Sequence, residues 1–157
     1  MRHLTFATLT LVLMLGFASS ASAVAAKFHS ASGTVNNAGA LVVNFDERGL
    51  GEGNIDYTLT ADATAVYACI NGGGKHPQAA NKETINGDVS AAGSFEAKNG
   101  RVVASLSAGP ISAGSFSCPG GQRLVLASIA YSNIVLTDTT NGTSVSVPDT
   151  SRTFFAV

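Results

Sequence analysis

From Ile55 to Cys69 the chain alternates. Ile55, Tyr57, Leu59, Ala61, Ala63, Ala65, Tyr67 and Cys69 hold the odd positions, with Asp56, Thr58, Thr60, Asp62 and Thr64 among the even ones. Successive side chains of a strand point to opposite faces, so period two over fifteen residues means one dry face and one wet face. The segment reads as one long strand, or as two joined by a bend near Ala61-Asp62. A half-buried strand of this kind belongs to an antiparallel sheet.

Other segments carry the same signature. "GTVNNAGALVVNF" reads as strand, Asn-Asn-Ala-Gly turn and strand, with Leu41, Val43 and Phe45 on one face. "GDVSAAGSFEA" and "RVVASLS" flank Lys98-Asn99-Gly100, a hairpin signal. In "RLVLASIAYSNIVLTDTT" the residues Val125, Ala127, Ile129 and Tyr131 share one parity, and Ile134 and Leu136 take the other. A one-residue slip of phase is what a β-bulge produces, which places a bulge near Ser132-Asn133. Asn141-Gly142 turns the chain into "TSVSV", and "SRTFFAV" makes a terminal strand. Leu, Glu, Lys and Arg are sparse while Gly, Ser, Thr, Asn and Val are common, which disfavours helices. These signals predict an all-β fold with seven to nine strands over residues 24–157, a single antiparallel β-sandwich of immunoglobulin-like architecture.

Residues 1–23 read as a cleaved secretory signal peptide. Arg2 and His3 give a basic start, Leu9 to Phe17 a mostly apolar run, and Ala21-Ser22-Ala23 a small-residue cleavage site. The apolar run falls short of the roughly 20 residues that span a bilayer, so no membrane insertion is expected after cleavage. The expected location is secreted and extracellular. There the two cysteines, Cys69 and Cys118, are expected to form one disulfide, with a free thiol or a two-cysteine metal site as the competing readings. Without Arg2 the chain holds eight Lys and Arg against ten Asp and Glu, spaced singly along the sequence with no basic run. That spacing argues against nucleic acid as a partner.

One stretch does not read as scaffold: "YACINGGGKHPQAANKE", Tyr67 to Glu83. It follows a cysteine and displays Asn71, Lys75, His76, Gln78, Asn81 and Lys82, the candidate binding residues for an extracellular partner, either a protein or a cell-surface component. The competing reading is structural: the glycines supply positive φ, Pro77 stiffens the crossing, and the amides bond the loop's own backbone.

Known chemistries fit poorly. After the signal only His29 and His76 remain, and no Gly-x-Ser-x-Gly elbow occurs. No His-x-x-x-His or Cys-x-x-Cys spacing suggests zinc, and Lys75 is followed by His-Pro where a phosphate loop would open a helix. Neither metal nor cofactor is expected. The acids Asp46, Glu47, Glu52 and Asp56 read as a solvated hairpin, and Tyr57, Tyr67 and Tyr131 as core. The chain lacks Trp, which weakens a sugar-stacking role. A non-enzymatic binding or surface module is the expectation, and a small extracellular hydrolase using His76 is the alternative.

Cys69-Ile70-Asn71-Gly72-Gly73-Gly74 and His76-Pro77-Gln78, preceded by "TLTADAT" and followed by "SFSCPGGQ", resemble a set of small secreted actinomycete proteins. The resemblance implies secretion and one β domain and carries over no catalytic or binding residue. "RGLGEGNIDYTLTADATAVYAC" is also similar in rhythm to the immunoglobulin-like apoproteins that carry enediyne chromophores. Those hold two disulfides and this chain can form only one, so the likeness concerns architecture alone.

Overall fold

The computed structural model describes residues 25–71 and 81–157. In chain order the strands are β1 (Lys27–Val35), β2 (Leu41–Arg48), β3 (Gly53–Asn71), β4 (Lys82–Ala97), β5 (Arg101–Ala108), β6 (Gln122–Asp138), β7 (Thr143–Val147) and β8 (Thr150–Thr153), and no helix occurs among the described residues. They form two antiparallel sheets. A three-stranded sheet has the order β1-β2-β5, and a five-stranded sheet has the order β4-β3-β6-β7 with β8 also paired to β6. The expected all-β sandwich is therefore present, with eight strands. The expected signal peptide, residues 1–23, lies outside the described residues.

The alternating segment is one strand of 19 residues, β3, without a break at Ala61-Asp62. Its odd positions from Ile55 to Cys69 are all buried, facing Leu41, Val43 and Phe45 of β2 and Val102 and Leu106 of β5. Fully burying one Leu or Ile side chain contributes about 1.5–3 kcal/mol, so this shared face is the main source of stability. At one end of the core the rings of Phe28, Phe45, Tyr57 and Phe95 meet with centroids 4.7 to 6.3 Å apart. The sheets approach closely here. A Cβ at Gly93 would stand 2.7 Å from Leu106 Cδ2, so the leucine end would have to shift to admit one.

The expected bulge is present. Thr60 pairs with Val135 but Asp62 pairs with Ser132, so β6 holds one extra residue, and Asn133 takes φ 50°. A second slip lies between Val66 and Tyr67, where Ser128 and Leu126 are the partners and Ala127 is passed over. The turn at Lys98-Asn99-Gly100 also forms: Lys98 N–H donates to Arg101 O at 2.9 Å, and Arg101 N–H returns to Lys98 O at 3.2 Å. The hairpin expected to continue from it does not. After that bridge β4 stays beside β3, whereas β5 crosses to pair with β2 along its whole length.

Candidate functional site

At the far end of β3 the register runs out to Asn71 opposite Gln122 on β6, and Ala68 lies opposite Lys82 on β4. Cys69 occupies the last inward position and is wholly buried. Its sulfur bonds Cys118, with the two Cα atoms 5.5 Å apart, so the expected disulfide is the observed one. Its backbone N–H donates to Asn81 O at 3.0 Å. Cys118 lies in the irregular segment 109–121, which Tyr67 fixes from below by donating its hydroxyl to Ile111 O at 2.6 Å. Two loop bases are thus held side by side on one rigid end of the sandwich.

Of the candidate binding residues, Asn71, Asn81 and Lys82 are exposed around this base. Asn81 Nδ2 donates to Gln122 Oε1 at 3.3 Å, and Lys82 Nζ reaches the main-chain oxygen of Val157 at 3.5 Å. Lys75, His76 and Gln78 lie outside the described residues, so the structure places three of the six.

Of the four acids expected in a solvated hairpin, Glu52 and Asp56 are exposed, but Asp46 and Glu47 at the end of β2 are not. Glu47 is completely buried and Asp46 nearly so. Glu47 shares the inward parity of Leu41, Val43 and Phe45, and its Oε2 accepts a 2.7 Å hydrogen bond from Tyr57. Its Oε1 accepts none among the described residues. Asp138, also completely buried, lies opposite Tyr57 in the register. The Asp138 carboxylate accepts from the backbone N–H groups of Thr140 and Asn141 at 2.8 Å and from Asn141 Nδ2 at 2.6 Å. Burial pushes the Glu47 carboxyl above its ordinary value, the Tyr57 hydrogen bond opposes this, and the charge and hydrogen bonding of Asp138 add to it. Burial and the neighbouring Glu47 also hold the Tyr57 phenol well above its usual range.

Asp46 turns the other way, onto the outer face, where Arg101 and Arg48 hold its carboxyl well below the usual carboxylate range. Sequence reading missed both roles, although parity contained a signal: two steps beyond Phe45 is Glu47, and two steps beyond Leu136 is Asp138.

His29 is the extra residue of a β1 irregularity between Phe28 and Ser30 and is exposed. Among the described residues no three His, Cys, Asp or Glu side chains converge as metal ligands, and no helix is long and apolar enough to cross a membrane. The disulfide points to an oxidising compartment. No protein-family model matches the chain, nor does any curated protein or solved structure.

Proposed function

We propose that this is a secreted, non-enzymatic binding module of immunoglobulin-like build, whose Gly72–Lys82 loop recognises an extracellular protein or a cell-surface component. One observation supports the reading above others. Cys69 is tied to Cys118 covalently and to Asn81 through its backbone, so segment 72–80 leaves and re-enters the sheet at fixed, neighbouring points. Fixing the ends of a loop lowers the ordering entropy that binding must overcome. The exposed amides and ammonium at its base extend the polar character of Lys75, His76 and Gln78.

The test is a double substitution, Lys75→Ala with His76→Ala. If the two side chains serve a partner rather than the fold, the change should matter within about 0.5 kcal/mol, and thermal stability should hold. Capture of a partner from the producer's culture medium and cell wall should be lost. A double variant that loses stability yet still captures the same partner would end the recognition reading.

A further inference from the structure

The register across β1, β2 and β5 gathers charges that are far apart in the chain. Lys27 lies opposite Arg48, and Arg48 opposite Arg101, giving one row of three cations on the outer face of the small sheet. Neighbouring strands lie about 4.8 Å apart, so the row spans roughly 10 Å. Lys98 joins it through the bridge to Arg101. Four of the nine Lys and Arg of the sequence thus sit together, at the opposite end of β3 from the disulfide. The singly spaced charges of the sequence become a basic patch once folded.

The row is organised. Arg101 grips Asp46 with two bonds, Nε to Oδ1 at 2.8 Å and Nη2 to Oδ2 at 2.9 Å, and Arg48 adds Nη2 to Oδ2 at 2.9 Å. Both arginine side chains remain about half exposed, 50% and 49%, and their Nη1 groups make no hydrogen bond among the described residues. One buried-edge carboxylate therefore fixes two guanidinium planes in place with donors left over. A cleft of about 340 Å³ lined by Lys27, Phe28, His29 and Arg48 flanks the row on the β1 side. Another of about 460 Å³ lined by Phe95, Glu96, Lys98, Arg101 and Val103 flanks it on the β5 side. Asp46 and Glu96 lie among these four cations and Glu52 stands in the adjoining turn, so the cations outnumber the acids by one, in a chain whose formal total is −1.

Beyond the row the same face changes character. Ser32, Asn44 and Ser105 stand opposite one another across the three strands, with Ser30 and Thr34 on either side, all exposed. These are hydroxyl and amide groups, and no aromatic ring lies among them.

We propose that the outer face of the small sheet binds a phosphate-bearing polyol chain. The cation row takes two neighbouring phosphates. The next row, of Ser30, Asp46 and the exposed Val103, meets the carbon backbone, and the row of Ser32, Asn44 and Ser105 takes hydroxyls beyond it. Planar guanidinium groups held in orientation suit phosphate oxygens, and the row is longer than one phosphate needs. Single-stranded nucleic acid calls for a run of exposed rings on which successive bases stack, whereas the flanking Phe28 and Phe95 are half-buried and packed against Phe45 and Tyr57. This surface is separate from the Gly72–Lys82 loop and does not depend on it.

The experiment titrates the intact protein at low salt with poly(glycerol phosphate), inorganic phosphate and a single-stranded oligonucleotide, read by calorimetry. Poly(glycerol phosphate) should bind most tightly. Lys27→Gln and Arg48→Gln should each weaken that binding about fivefold or more, the size of one lost charge-assisted contact. Arg123→Gln removes the same charge from an exposed site elsewhere and should change it less than about twofold. Circular dichroism melts of the three variants establish that each is folded. The proposal is overturned if poly(glycerol phosphate) does not bind or if either other ligand binds as tightly. It is overturned equally if Arg123→Gln costs as much as Lys27→Gln, since net charge alone would then explain the affinity.

Discussion

Glu47 shows how one buried side chain sets a pH dependence for the whole molecule. Its hydroxyl partner Tyr57 and its facing carboxylate Asp138 are all inside the core. In the unfolded chain Glu47 ionises near its ordinary value of 4.5, whereas the folded chain keeps the proton to higher pH. Between those two values the native state binds a proton that the unfolded state has released. The stability from this group is therefore fully present below pH 4.5 and is lost as pH rises through the raised folded value. Asp46 works in the opposite sense: its ion pairs with Arg101 and Arg48 stabilise the fold above its ordinary value of 3.8, and that contribution is lost as pH falls. Urea midpoints should thus peak in mild acid, near pH 4 to 5, and decline toward neutrality. In Glu47→Gln, whose amide keeps the shape without the charge, the decline should flatten. Should it persist unchanged, another group is responsible. Glu47→Ala strands the buried Tyr57 hydroxyl and should cost about 1–3 kcal/mol at every pH.

Elements respond to local backbone demands in the same way. β6 can keep both Tyr131 and Ile134 inward only because Asn133 takes up one residue at φ 50°. Asparagine tolerates that conformation, and its side chain repays the exposure by donating to Asp62 Oδ2 at 2.6 Å. A β-branched side chain does not fit there. Asn133→Val should cost about 1–3 kcal/mol by chemical denaturation, and Asn133→Gly clearly less. Equal losses for the two would show that the Asp62 hydrogen bond, not the backbone, is what matters. The bulge was legible in the sequence because a phase slip is written in the residues themselves. The path of β5 was not. Asn99 and Gly100, at φ 53° and 72°, make the turn of an ordinary hairpin, but β4 pairs only with β3 and leaves its other edge open, while β5 takes the second edge of β2 and turns Val102 and Leu106 into the core.

For the molecule as a whole, the disulfide joins positions 49 residues apart and fastens an irregular segment to the core. Loop-closure entropy for a loop of that size is worth roughly 4 kcal/mol. The double variant Cys69→Ala with Cys118→Ala should retain the β-type circular dichroism spectrum, because the apolar face of β3 is intact, while its unfolding free energy falls by about that amount. A loss below about 1 kcal/mol would mean that the segment 109–121 is held by contacts such as Tyr67 to Ile111 rather than by the bond.

What the sequence determined by itself was local. The side on which each residue of a strand lies follows from backbone geometry, so the dry face from Ile55 to Cys69, the bulge at Asn133 and the turns could be read directly. The cysteine pairing was legible because Cys69 and Cys118 are the two cysteines of the sequence. Extending the same parity by two residues reaches Glu47 and Asp138, but parity says only that they point inward and not that they meet across Tyr57. Lateral neighbours are a tertiary matter. Lys27, Arg48 and Arg101 are distant in the chain and adjacent in the sheet, because the order β1-β2-β5 is chosen by the burial of Leu41, Val43, Val102 and Leu106 on the opposite face. The outer row is a consequence of packing on the inner one.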